Sequence, residues 1–148
     1  GKIEQEFKFI KEFQILLEKD FEIIKAFDGC NVDIIFKPCE NQNRYVFQLC
    51  KNKGTTESKR NQVQYDINDN NFYWLNCDNK QHFFVIPEKN LIEKGFIGNS
   101  EENKNKIFLK ITIKDELHYR HKWLTPFIFN YASINETSNK TRLLNLLK

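Results

Sequence analysis

Three residues between Gly29 and Lys51 carry groups that could do chemistry together: Asp33, Gln48 and Lys51. Asp33 interrupts the apolar run Val32-Asp33-Ile34-Ile35-Phe36-Lys37. Gln48 and Lys51 lie at the end of a second run, Arg44-Tyr45-Val46-Phe47-Gln48-Leu49-Cys50-Lys51. A carboxylate in one run, with a carboxamide and an ammonium in the next, is a set able to engage a hard cation and an anion. Asp33 is the one buried-looking acid of the first run. For the three to meet, the two runs must be neighbouring strands.

Both runs are rich in β-branched and aromatic residues, and a loop with Pro38 and several Asn and Gln residues separates them. That is the pattern of a hairpin. Before them, Ile3, Phe7, Ile10, Phe13 and Leu17 recur every three or four residues, which predicts an amphipathic helix over 2–19. Its apolar stripe should pack on a sheet. Glu6 or Glu12 on such a helix could lend an acid to a nearby site, although most helix glutamates are simply solvated. Phe21 to Phe27 reads as a short strand, and Asp28-Gly29 as a turn into the next one.

Further along, 52–71 is polar and admits either a short helix within 56–64 or an edge strand at 63–67. Its cations Lys53, Lys59 and Arg60, beside Lys51, could touch phosphates or form a solvated loop. Strands are expected at 72–76 and 82–86 around the turn Cys77-Asp78-Asn79-Lys80. A short helix at 88–94 should end at Gly95, and a strand with one wet face should cover 107–113. Residues 115–148 form a basic, aromatic C-terminal extension with a last helix at 142–148. Its Arg120 and Lys122, among His118, Tyr119, His121 and Trp123, could grip a backbone or stack on bases. The plainer alternative is that this segment wraps the core and buries Trp123, Phe127 and Phe129.

The totals exclude several classes. The chain has 148 residues, of which 40% are hydrophobic and 29% charged, so it should fold as one domain, 1–148, with a real core. A net charge of +3 argues neither for nor against nucleic acid. No apolar run approaches the roughly 18 residues that a membrane helix needs. Absence of Met, with Gly1 at the start, reads as a domain excised from a longer protein. The four cysteines include no CxxC pair, and Cys30 and Cys50 sit in apolar runs, so reduced thiols and an intracellular setting, nucleus or cytoplasm, are expected. Cys77, His82, His118 and His121 are an alternative zinc set, but neither pair has standard ligand spacing.

The order of elements resembles the PD-(D/E)XK nuclease-like superfamily over about residues 3 to 113. A helix, a Gly-containing turn, a strand with Asp33 and a strand with Gln48 are followed by strands ending at Ile86-Pro87 and by the short helix of Asn90-Leu91-Ile92. The family's motif is an Asp, a spacer, then Glu, Asp or Gln, one residue, and Lys. Asp33 matches its first position and Gln48 its second, while the lysine position holds Cys50. Lys51 points to the other face of a regular strand, so a bulge near Leu49 is needed to bring it in. Lys25 is a possible substitute.

The resemblance implies an α/β (α+β), restriction-endonuclease-like fold, with a mixed central β-sheet flanked by helices. It implies Mg2+ held by Asp33 and Gln48, with Lys51 as the catalytic lysine of a metal-dependent endonuclease acting on DNA. The alternative is a catalytically degenerate module that binds nucleic acid or a protein partner.

Overall fold

The computed structural model describes residues 2–37, 44–52, 62–77, 81–98, 100–103 and 106–148. The fold is a mixed central β-sheet flanked by helices. Helices α1 (Lys2–Leu16) and α2 (Phe21–Phe27) come first, then strands β1 (Val32–Lys37), β2 (Arg44–Gln48), β3 (Lys51–Asn52) and β4 (Gln62–Val63). Next come β5 (Phe72–Cys77), β6 (His82–Pro87), helix α3 (Glu88–Glu93) and β7 (Phe108–Thr112). A 3-10 segment (Tyr119–Phe127), strand β8 (Ile128–Asn130) and helix α4 (Thr137–Leu147) complete the chain.

The central sheet has the order β1-β5-β6-β8. Its β1–β5 pair is parallel and the others antiparallel. β5 and β6 are buried on both faces because their side chains alternate between two cores. On one face Trp74 and Phe83 stack with centroids 4.7 Å apart, and α1 adds Phe13 edge-on at 4.8 Å. Ile23 of α2, Leu143 and Leu147 of α4, and Phe129 of β8 close this core. On the other face Tyr73, Leu75, Phe84 and Ile86 meet a separate two-stranded ribbon of β2 and β7, which supplies Tyr45, Phe47, Leu109 and Ile111, with Leu49 just past the end of β2. Leu117, Leu124 and Phe127 join the ribbon-side core, so residues after 115 contribute to both cores.

Several expectations need correction. Residues 21–27 are helical, not a strand. Asp20 is the N-cap: its side chain accepts from the Glu22 and Ile23 amides at 3.1 and 3.4 Å, and such a cap outweighs the mild helix aversion of isoleucine and phenylalanine. Gly29, at φ +84°, turns the chain out of α2 and into β1. β1 and β2 approach one another but share no ladder, because β1 pairs with β5 and β2 with β7. On α1 and just past its end the buried residues are Phe9, Phe13 and Leu17, whereas Phe7 is 63% exposed. The last helix begins at Thr137, five residues before the expected start. Cys77 is disulfide-bonded, so the expectation of four reduced thiols fails; β1 and β5 end side by side at Lys37 and Cys77, while Cys30 and Cys50 are in no disulfide.

Asp20 does two jobs, since it also pairs with Lys140 of α4 at 3.2 Å. Asp20→Ala should therefore lower stability by about 1 kcal/mol, the usual size of a lost N-cap. A urea midpoint that drops at unchanged slope would bear this out, and an unchanged midpoint would refute the cap.

Candidate functional site

Alternation along β1 decides where Asp33 points. Val32, Ile34 and Phe36 pack with the helix-side core, so Asp33 and Ile35 face the ribbon side. In register, Asp33 lies beside Tyr73 of β5. Its carboxylate is not alone there: the Tyr65 hydroxyl donates to Asp33 Oδ2 at 2.5 Å. The Tyr65 and Tyr73 rings lie 5.1 Å apart. Burial, and then the hydrogen bond to Asp33, push the Tyr65 phenol far above its ordinary range, and burial raises Tyr73 in the same direction. Tyr65 thus serves Asp33 as a donor and stays protonated throughout the accessible pH range.

Gln48 ends β2, and Cys50 follows two residues later. Both line a cleft of about 360 Å³ together with Asp33, Tyr65 and, from α1, Glu6 and Gln5. The cleft therefore brings together the two positions that match the motif, and it adds Glu6, one of the two helix acids singled out by sequence. Glu12 lines a neighbouring cavity instead. Cys50 stands in the cleft where the motif has lysine.

Lys51 is directed elsewhere. Its ammonium donates to Asp66 Oδ2 at 2.6 Å and to Asp69 Oδ2 at 2.7 Å. These bonds raise its pKa and keep it charged. Leu49 is held by its amide to the Ile107 carbonyl at 2.6 Å, and Lys51 then enters β3, which pairs with β4 rather than with β7. The alternation of a regular strand continues through Cys50, and Lys51 is not among the residues that line the cleft. Lys25 lies exposed on α2, which removes the premise that it sits on a neighbouring strand.

The donor set of the cleft is chemically suited to a hard cation, since Asp33, Glu6 and the Gln48 amide all offer oxygen. It is a sparse set: among the described residues no three His, Cys, Asp or Glu side chains group closely enough to hold a metal ion. The zinc alternative falls with the disulfide at Cys77 and with His82, whose Nδ1 lies 3.1 Å from the Tyr45 hydroxyl. Burial lowers the His82 pKa, as expected for a half-buried imidazole.

Comparison with known protein families, curated proteins and solved structures finds no match. The chemistry must be argued from the residues.

Of the predicted nucleic-acid contacts, Lys53, Lys59 and Arg60 lie outside the described residues. Arg120 is exposed, sits 5.6 Å over the Tyr119 ring and donates its Nε–H to that phenol at 3.1 Å. Lys122 pairs with Glu116 at 3.3 Å. Both are on the 3-10 segment. Sequence inspection missed Tyr65, whose role depends on a partner 32 residues away. The acids that capture Lys51 left a weak signal, since Asp66, Asn68 and Asp69 are turn residues and Asn68 adopts φ +74°.

Lys51→Met should destabilise the fold by about 1 kcal/mol, as for a partly exposed ion pair. Adding Asp69→Asn should restore part of that loss, which a double-mutant cycle measures. Strict additivity of the two changes would show that the pair contributes nothing.

Proposed function

We propose that this chain is a PD-(D/E)XK-like nucleic-acid-processing domain whose cleft engages a phosphodiester, with DNA as the favoured polymer. The observation that carries this reading is the shared cleft of Asp33, Gln48 and Glu6. Asp33 and Gln48, with Glu6 beside them, would hold Mg2+, which when bound polarises a phosphodiester and lowers the pKa of a coordinated water. Tyr65 fixes the Asp33 carboxylate in one rotamer by donating to Oδ2, which leaves Oδ1 for the cation. Under this reading the protein works where DNA is held, in the nucleus or the cytoplasm.

Among the described residues no lysine or arginine lines the cleft. Hydrolysis builds negative charge on the phosphate, and a lysine close by ordinarily stabilises it. Here Cys50 occupies that place and Lys51 neutralises Asp66 and Asp69. Cleavage by the natural sequence is accordingly slow. That same diversion of Lys51 favours a second reading, a module that keeps the fold and binds nucleic acid or a protein partner without cutting.

One pair of variants separates the readings. With Mg2+ or Mn2+, Cys50→Lys should nick supercoiled DNA about 10²-fold faster than the natural sequence, the scale of one well-placed charge-stabilising group. Asp33→Ala in that background should abolish the gain. Should neither the natural chain nor the Cys50→Lys protein nick DNA or RNA, the hydrolytic reading fails. Salt-sensitive binding to DNA would then sustain the second reading.

A further inference from the structure

A second cavity, of about 330 Å³, lies between α1 and the helix-side face of β1 and β5. Its walls are aromatic: Phe9, Phe13, Phe36 and Tyr131. Phe9 meets Phe36 edge-on at 5.5 Å and Tyr131 edge-on at 6.4 Å, so ring faces and ring edges are both presented. Such walls select flat, polarisable rings over aliphatic chains.

Gln5, Lys8, Glu12 and Asn76 bring polar groups to this space, and Asn76 is the buried one among them. It lies on β5 on the same face as Trp74, pointing to α1, and is 2% exposed. Its Oδ1 accepts from Trp74 Nε1 at 3.0 Å and from the Tyr131 hydroxyl. An indole nitrogen can only donate, so the orientation of the amide is determined. The Nδ2 group then faces away from both donors and has no hydrogen-bond partner among the described residues. A buried donor without an acceptor is uncommon in folded proteins and asks for an explanation. Lys8 and Glu12 on the wall carry opposite charges, so the cavity selects neither an anion nor a cation, and a neutral acceptor fits it.

We propose that this cavity binds a planar heteroaromatic ring with a neutral hydrogen-bond acceptor on its edge, the chemistry of a nucleobase, with Asn76 Nδ2 as the donor that recognises it. The choice of a nucleobase rests on the nucleic-acid reading above, and one feature connects the two: Gln5 and Phe36 line both this cavity and the cleft of Asp33. A base held here would leave its sugar and phosphate beside that cleft. The ring has two possible sources, a free nucleoside or an unpaired base of a strand.

The test is a titration of isotopically labelled protein, without metal, with adenosine, guanosine, cytidine and thymidine, following the Asn76 side-chain amide signals. At least one nucleoside should shift them saturably with a Kd of about 1 mM or tighter. Toluene, which fits but carries no acceptor, should bind roughly ten-fold more weakly, as expected for loss of one good hydrogen bond. Asn76→Asp, which puts an acceptor where the donor was, should weaken nucleoside binding roughly ten-fold. Leu16→Phe, which fills the cavity from its wall, should abolish binding while leaving the near-UV circular dichroism of a folded protein.

A short thymidine oligonucleotide that shifts Asn76 at lower concentration than thymidine, and loses this advantage when one residue is abasic, identifies the strand as the source. The absence of such an advantage identifies the free nucleoside. No saturable shift with any of the four nucleosides overturns the proposal, as does toluene binding equally well. Because the assay needs neither metal nor cleavage, its failure is distinct from failure of the hydrolytic reading.

Discussion

Parallel pairing of β1 with β5 is the constraint on which both candidate sites depend. It sets Asp33 beside Tyr73 and Phe36 beside Asn76. Because strand side chains alternate, this one register sends Asp33 to the ribbon side and Phe36 to the helix side. A slip of one residue would drive the Asp33 carboxylate into the aromatic core around Trp74 and leave Phe36 on the polar cleft. Hydrophobic burial forbids that slip: Val32, Ile34 and Phe36 all pack with the helix-side core, and a charge among them would find no partner. The partner of β1 is itself held rigidly, since β5 is buried along its whole length.

Charge placement explains why the described lining of the cleft is polar without being cationic. Lys51 and Cys50 are adjacent in sequence and serve opposite surroundings, as alternation requires. Cys50 lies in the cleft, while Lys51 joins Asp66 and Asp69 and so ties β3 to the loop after β4. The same loop is anchored from its far side by Glu88 of α3, which accepts from the Asn68 and Asn70 amides at 2.6 and 3.2 Å. Tyr65 precedes this doubly fastened loop, so the hydroxyl that meets Asp33 is delivered by backbone held at both ends. Gln64 adds to this by donating to the Gly95 and Lys106 carbonyls at 2.8 and 3.0 Å.

How far the fold was legible from sequence depended on whether the information was local. The β5–β6 hairpin and α3 were readable because Pro87 and Gly95 punctuate continuous apolar runs, and such runs fit strands buried on both faces. Phe21–Phe27 misled because β-branched content was weighed above the cap at Asp20. The face of α1 was rotated because its apolar residues nearly surround it; Phe7 and Ile10 fit the periodicity as well as Phe9 does, and only the packing with Trp74 chooses. β1 and β2 approach one another without forming the expected hairpin, because their ladders go to strands far away in sequence, 40 residues from Val32 to Phe72 and 68 from Arg44 to Thr112. No local pattern specifies such pairings. For the site, the motif located Asp33 and Gln48, whereas Tyr65 and Asn76 carry no motif at all.

Helix α1 is what turns these separate facts into one surface. Successive residues of a helix fan out at about 100° each, so Glu6 and Gln5 reach one cleft while Lys8, Glu12 and Phe13 reach the other cavity. Phe36 forms the partition between them from the sheet side. A partition made of one ring and one glutamine is thin, and both sites sit along β1, an edge strand of the central sheet. An edge strand can be approached from outside without breaking the ladder that holds the fold together. Recognition of a ring on one side of Phe36 and of a charged group on the other would therefore need no rearrangement of either core. It would need only that α1 stay seated, which the contacts of Phe9 and Phe13 with Trp74 provide.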